Sequence, residues 1–346
     1  MHTPAPASPT PPRHASSSAR LVATLLGGSI ATAVTVASAN SGAAAAPPTP
    51  ALSAYEVMQL PAPPVRRYVA RDRAALAYRV FASATSAEPR VVAILMHGSA
   101  GSSRNMTLVG GALASAGVPA FAPDVRGQGL SGRRGDVDYI GQPEDDLADF
   151  LPTVRQAYPN ARLVLVGHSA GGGFVLRVAA DPLGRQFSRF VLLDPYLGRA
   201  APSDNATSGY AQIDLPRILA LTALTQIGIT GFNGAPVLAF SLPPQAEAVG
   251  ATRVWSYRMM MSYGPGGQMQ LFGEPAYRCE ARAAPAPIVL IAGARDEEFH
   301  AERYAEDFKG LKEKVSVTLV PGVDHMGVLS DRRSVPLIVR AVAEGE

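Results

Sequence analysis

A serine hydroxyl becomes a useful nucleophile only when a base removes its proton and a third group holds that base in the right tautomer. The sequence offers a serine in a setting suited to that work. Gly167-His168-Ser169-Ala170-Gly171 follows the short apolar run 163–166 directly and precedes an apolar, helix-length stretch at 170–180 that ends at Asp181-Pro182. A strand, a sharp turn and a helix in that order force the serine backbone into a strained conformation and push Oγ outward. Gly167 and Gly171, two residues either side, let neighbouring chain come close. The string alone recurs by chance on structural serines, so the strand before it and the helix after it carry the signal.

In this arrangement the acid and then the base follow the serine along the chain. Two histidines do so, His300 and His325. His300 sits in the charged segment 297–303, which reads as an exposed helix face, whereas His325 follows the apolar run 315–320 and the turn Pro321-Gly322, at the carboxyl end of a strand. His325 is therefore the expected base. The acid should leave the end of the preceding strand, and Ala292-Gly293-Ala294-Arg295-Asp296 nominates Asp296. Asp194, at the end of an earlier strand, and Glu297 remain as rivals. Asp324 would have to bend back onto the ring of its own neighbour, and reads as a turn residue. A tetrahedral intermediate also needs backbone N–H donors. The amide of Ala170 opens the helix, and the turn His97-Gly98-Ser99-Ala100-Gly101 after the first buried run should aim the amide of Ser99, with Gly98 allowing the sharp turn. His97 precedes the serine, and its ring is expected to tie that loop by hydrogen bonds.

The elements that must position these residues follow from the hydrophobic pattern. With 346 residues and 47% apolar side chains the chain can bury a large core. Residues 65–82 alternate through Leu76, Tyr78 and Val80, as an antiparallel hairpin with one solvated side would. Continuous apolar runs then appear at 91–96, 119–123, 163–166, 190–193, 288–292 and 315–320, a pattern suited to strands buried on both faces of a parallel sheet. Helix-length segments lie between them, such as 143–157 with Pro143 first and Glu144, Asp145 and Asp146 in its opening turn. Strands alternating with helices predict a doubly wound, mostly parallel α/β sheet, whose ligands bind at the carboxyl ends of the strands. The core is assigned to 65–197 and 285–346. The interval 198–284 shows no strand-helix repeat and is punctuated by seven prolines, with Asp214-Leu215-Pro216 opening one helix. It is too long for a plain loop and is read as a cap, or lid, over the site. Its Trp255, Tyr257, Met259, Met260, Met261, Tyr263, Met269, Leu271 and Phe272 are either a ligand pocket or the core of the cap itself.

The first 46 residues read as an address. Arg13, His14 and Arg20, with no acid, precede a weakly apolar stretch at 21–37 and then small residues that suit cleavage near 39 or 46. A periplasmic or secreted protein is expected, and a retained 21–37 segment would instead give a loose membrane anchor. The Pro- and Ala-rich residues 47–64 read as a flexible linker. Basic residues, 31 against 28 acidic ones, are scattered, which points away from nucleic acid. Cys279 is the single cysteine, so an intrachain disulfide and a Cys-based metal site are excluded, and it reads as a packing residue.

His97-Gly98, the segment Asp124-Val125-Arg126-Gly127-Gln128-Gly129-Leu130-Ser131-Gly132, the serine turn, Ala292 to Asp296 and Asp324-His325 stand in the order of the α/β-hydrolase superfamily. Within it the chain resembles the monoacylglycerol lipase and lysophospholipase-like branch, which includes serine aminopeptidases, from about residue 65 to the C-terminus. The resemblance implies Ser169 as nucleophile, Asp296 as acid, His325 as base, Ser99 and Ala170 as oxyanion donors, and no metal or other cofactor. It makes Arg126 a brace for loops near the site. The serine, aspartate and histidine set, the apolar cap and the expected export point to a small-molecule ester as substrate: an acyl-glycerol, a lysophospholipid or a smaller ester. A peptidase of the same fold would need cap carboxylates for a free amine, for which Glu247, Glu274 and Glu280 are available. A non-catalytic binding or sensing protein is the alternative of another class.

Overall fold

The computed structural model describes residues 54–83, 85, 88–266 and 273–344. The N-terminal address segment, its cleavage points and Met269, Leu271 and Phe272 lie outside the described residues. In chain order the elements are α1 (Ala54–Gln59), β1 (Arg66–Val69), β2 (Ala75–Phe81), β3 (Val91–Met96), α2 (Thr107–Ser115), β4 (Ala120–Pro123), α3 (Gln142–Ala157), β5 (Arg162–His168), α4 (Ala170–Ala180) and β6 (Phe187–Leu193). Then come β7 (Ala211–Ile213), α5 (Leu215–Gln226), β8 (Pro236–Phe240), β9 (Val254–Ser256), α6 (Tyr257–Ser262), α7 (Ala276–Ala283), β10 (Ile288–Gly293), α8 (Tyr304–Asp307), β11 (Val315–Val320) and α9 (Val335–Ala343).

Eight strands form one sheet in the order β1-β2-β4-β3-β5-β6-β10-β11. The pairs from β4 to β11 are parallel, and the β1-β2 and β2-β4 pairs antiparallel. Continuous apolar runs are explained by the side-chain period of two. Val92, Ile94 and Met96 of β3 join one core, while Val91, Ala93 and Leu95 join the other. β5 and β6 divide in the same way, Leu165 and Leu192 to one side, Val166 and Leu193 to the other. Phe150 of α3 and Phe174 of α4 fill the first core, and Leu113 of α2 and Ile338 of α9 the second. Truncating a buried phenylalanine such as Phe150 to alanine costs about 3–5 kcal/mol.

Four sequence expectations need correction. β11 is an edge strand, so Ser316, Thr318 and Leu319 are exposed although the run is apolar enough for a central strand. β2 has no solvated side: it lies between β1 and β4, and Arg79 is buried with its guanidinium donating to the carbonyl of Pro63. The covering chain belongs to 47–64, which is no free linker over its described part. Val57 and Met58 of α1 are buried, and Arg104 donates to the carbonyls of Met58 and Leu60. Two apolar side chains anchored by two arginines suffice for packing that composition alone does not signal. Finally, Cys279 is exposed, its thiol donating to Glu274 at 3.5 Å.

The interval 198–284 has structure that its sequence conceals. β7, β8 and β9 make an antiparallel sheet of three strands, too short for a period-two pattern to register. α5 starts where expected, with the Asp214 side chain accepting from the amide of Arg217. Asp136, in the loop after β4, holds this region to the sheet: Ser256 Oγ and the Arg258 guanidinium donate to its carboxylate. Among the described residues no helix is long and apolar enough to cross a membrane.

Candidate active site

Ser169 stands between β5 and α4 with φ 55° and ψ −123°, a conformation that costs a non-glycine residue on the order of 1–3 kcal/mol. Surrounding bonds hold it there. Its amide donates to the carbonyl of Leu193 at 2.9 Å, and its own carbonyl accepts from Gly172 at 2.9 Å and Tyr196 at 3.0 Å. The flanking glycines are required by close approach. A Cβ on Gly167 would stand 2.2 Å from the carbonyl oxygen of Gly171, and one on Gly171 would stand 2.4 Å from that of His97. Ala170 is the first residue of α4, where a backbone N–H has no partner within the helix.

The loop after β3 runs alongside. The expected turn is present, the amide of Gly101 donating to the carbonyl of Gly98 at 3.4 Å, and its left-handed residue is Ala100, with φ 58°. What position 98 needs is an absent side chain, because a Cβ there would lie 3.1 Å from the Cβ of Ser169 and 3.1 Å from Nδ1 of His168. The His97 ring ties the loop. The amide of Val125 donates to Nε2 at 3.1 Å, so the proton sits on Nδ1, which donates to the carbonyl of Gly98 at 2.8 Å. Burial lowers the pKa of His97, in keeping with a neutral ring. Tyr210 donates its hydroxyl to the carbonyl of Ser99 at 3.1 Å. Arg126 is buried and forms ion pairs with Asp146 at 2.7 Å and Asp72 at 2.9 Å, joining the loops at 72 and 126 to α3.

Asp296 follows β10 and His325 follows β11, and the two meet, with His325 Nδ1 3.0 Å from Oδ2 of Asp296. Oδ1 of Asp296 accepts from the amides of Glu298 at 2.8 Å and Phe299 at 2.9 Å. Burial alone would raise the Asp296 pKa, but the charge and hydrogen bond of His325 and those two amides bring it below the usual value. For His325 burial acts downward and is outweighed by the Asp296 carboxylate, so its pKa lies above the ordinary 6.5. His168, also buried and next to His325, is pushed down to about 3, and its Nε2 donates to the carbonyl of His325 at 3.1 Å.

The other candidates are occupied elsewhere. Glu297 accepts from the amide of His325, and Asp324 accepts from the amide of Gly327 at 2.7 Å as a turn residue. His300 is exposed beside Glu302. Asp194 is wholly buried at the end of β6, where Oδ1 accepts from the amide of Gly293 at 2.8 Å. His168, Asp194 and His325 offer ligand atoms within 4.8 Å of one another. Nε2 of His168 and Nδ1 of His325 are engaged in hydrogen bonds that tie this cluster together.

Two cavities meet at the serine, and Ser99, Ser169 and His325 line both. The larger, about 730 Å³, lies between the sheet and the cap region and is walled by Ile218, Leu238, Phe240, Trp255, Met260 and Tyr263. The smaller, about 200 Å³, is lined by Met58, Leu242 and Met326 among others. The aromatic and methionine cluster of the cap thus divides: Trp255, Met260 and Tyr263 face the cavity, while Tyr257 and Met259 are core. Glu247, Glu274 and Glu280 line neither cavity. Glu247 pairs with Arg253, Glu274 with Arg282, and Glu280 is buried against the amide of Gly266. Tyr196, Arg199, Asp204, Tyr210, Glu298 and Phe299 do line the larger cavity and were not singled out by sequence. They sit on loops that no periodicity or motif marks, and only tertiary packing turns them inward.

Residues 87–232 match the family model described as Hydrolase_4, serine aminopeptidase S33. A stretch of 109 residues is 30% identical to a monoacylglycerol lipase of Mycolicibacterium smegmatis, covering 31% of this chain and 39% of the relative. The chain therefore spans about two fifths of the length of that curated relative. Among solved structures, a soluble variant of the Saccharomyces cerevisiae monoglyceride lipase in complex with a substrate analog superposes with TM-score 0.60 at 17% identity, over 83% of this chain and 96% of the other. The monoacylglycerol lipase of Paleococcus ferrophilus superposes with TM-score 0.54 at 19% identity, over 78% and 97%. At those identities the structural likeness is one of fold. The chain thus has the α/β-hydrolase fold, and its residues 87–232 resemble the serine aminopeptidase S33 family.

Proposed function

We propose that the protein is a serine hydrolase that cleaves a carboxylic ester through an acyl-enzyme on Ser169. The observation that carries this reading is that a conformationally strained serine and a histidine held by a buried carboxylate open onto the same two cavities. In the first half-reaction His325 Nε2 takes the proton of Ser169 as Oγ bonds to the substrate carbonyl carbon. The amides of Ser99 and Ala170 receive the oxyanion, each donor being worth about 100- to 1000-fold in rate. Asp296 remains ionised and stabilises the imidazolium. The intermediate collapses when the C–O bond to the alcohol breaks and the departing oxygen takes the proton from Nε2. Water, deprotonated by the same nitrogen, then attacks the acyl carbon and releases the acid and Ser169.

The apolar walls of the larger cavity suit an acyl group, and the size of the smaller one suits a modest alcohol. An acyl-glycerol, a lysophospholipid or a smaller ester meets both conditions. A peptidase would need a carboxylate for the substrate amine: the three acids named for that role from sequence line neither cavity, whereas Asp204 and Glu298 line the larger one, so the apolar walls favour an ester and a direct assay decides. Assays of purified protein on glyceryl and p-nitrophenyl esters, with aminoacyl amides in parallel, test the choice: turnover of esters is expected, and turnover of amides alone would reverse it. Export is part of the same proposal, resting on the charge and apolar pattern of residues 1–46. N-terminal sequencing of the protein recovered outside the cytoplasm should begin near residue 40 or 47. An intact N-terminus in the cytoplasmic fraction would contradict export.

A further inference from the structure

Asp194 is a buried acid for which the reaction just described has no use. Its register beside β10 is fixed, Leu193 pairing with Ile291, and it adopts φ 41°, in the left-handed region that aspartate tolerates better than most residues. Its amide donates to the carbonyl of Ile291 at 3.1 Å, and its Oδ1 accepts from Gly293. Its Oδ2 is buried and faces no donor among the described residues. The Asp194 carboxyl belongs to the same buried cluster as the acid–base pair: one of its oxygens lies within 4.8 Å of ring nitrogens of His168 and His325, His325 Nδ1 is 3.0 Å from Asp296, and the Asp296 carboxyl is its nearest charged neighbour.

Two carboxylates cannot share a buried contact while both are ionised. The proton must sit on the one with fewer donors. Asp296 has three, His325 Nδ1 and the amides of Glu298 and Phe299, whereas Asp194 has the single amide of Gly293. We propose that Asp194 is a positioning residue for the ester-cleaving reaction, standing behind the Asp296–His325 pair as a neutral carboxylic acid and donating its O–H to the Asp296 carboxylate. The donated bond fixes the rotation of the Asp296 carboxyl and spreads its charge, which limits how tightly His325 holds a proton. This rests on the reading of Ser169, His325 and Asp296 given above. Burial, and next the charge of Asp296, raise the Asp194 pKa well above the usual value, in agreement with a protonated acid. The groups facing it are Asp296 and Glu297 after β10, His325 after β11, His168 at the end of β5 and Tyr304 of α8, whose hydroxyl donates to the carbonyl of Pro195.

The test compares the full chain with Asp194→Asn and Asp194→Ala, measuring kcat/KM for a p-nitrophenyl ester against pH together with the infrared carbonyl stretch of protonated carboxyls. Asparagine can still accept from Gly293 and donate to Asp296, so its acidic limb should stay with that of the wild type. Alanine removes the donor, so the charge on Asp296 acts on His325 undiluted and the limb should move upward by about half a pH unit or more, with kcat down about tenfold. The wild type should show a buried protonated carboxyl band that Asp194→Asn loses. An unmoved limb in folded Asp194→Ala, a limb displaced downward in Asp194→Asn, or the absence of that band from the wild type would each overturn the proposal. The infrared and Asp194→Asn readings stand even if Asp194→Ala does not fold. A wild-type protein with no acidic limb and no ester turnover would instead sink the parent reading, so the two failures are distinguishable.

Discussion

His325 Nδ1 and Asp296 Oδ2 stand 3.0 Å apart, and the Asp296 side chain is completely buried. An imidazole so placed is held in one tautomer with Nε2 free for a proton. The pair also predicts a pH dependence. Since burial lowers and the Asp296 charge more strongly raises the His325 pKa, the proposed base stays protonated to a pH above the ordinary histidine value of 6.5. Activity should therefore rise with pH through a limb lying above that value, read from kcat/KM. A limb below it would show that the ion pair is not holding the base.

Asp296 meets His325 through its ring and Asp324 adjoins it along the chain, and the two acids have unequal roles. Asp296→Asn keeps the shape and loses the charge that stabilises imidazolium, so kcat should fall by roughly 1000- to 10,000-fold. Asp324→Asn keeps a side-chain oxygen to accept from the amide of Gly327 in a half-buried turn, and should remain within about twofold of the wild type. Equal losses in the two variants would mean that the acid has been misassigned.

Gly171 and Gly111 make a matched pair of glycine substitutions. A Cβ on Gly171 would meet the backbone oxygens of His97 at 2.4 Å and Met96 at 2.7 Å, neither of which can swing aside. Gly171→Ala should lose about 1–3 kcal/mol of stability, if it folds, and most of its activity, because α4 must shift away from the serine. Gly111, inside α2, has nothing within 4 Å of such an atom, and Gly111→Ala should gain roughly 0.5–1 kcal/mol. Urea denaturation of both variants reads the difference, and a destabilised Gly111→Ala would contradict the packing described for α2.

Much of this was legible in the sequence because the local signals agree with the fold. The run 163–166, the two flanking glycines and the apolar helix specify the serine turn, and buried strands such as β3 and β5 declare themselves by length and continuity. β11 misled because an edge strand here carries nearly the same apolar run as a central one. The three strands of the cap region and the contacts of α1 were hidden for another reason. Their order depends on partners more than 40 residues away, such as Arg104 for Met58 and Asp136 for Arg258. The loop residues lining the larger cavity belong to the same class.

Arg258 supplies a test of the tether between the cap region and the sheet. Arg258→Ala leaves Asp136 buried with Ser256, Arg133 and the amide of Val137 as partners. The wall that carries Trp255 and Met260 should loosen, raising KM for an acyl ester severalfold with a smaller change in kcat. Limited proteolysis should cut the variant sooner within the cap region. An unchanged KM and an unchanged cleavage pattern would mean that the apolar packing alone holds this wall.

The central claim is that Ser169 is an activated nucleophile, and covalent capture by a fluorophosphonate probe addresses it without requiring the natural substrate. The account predicts stoichiometric labelling on Ser169, located by mass spectrometry of the peptide, and none in a folded Ser169→Ala variant. Labelling that persists in Ser169→Ala, or a folded wild-type protein that is not labelled at all, would contradict it.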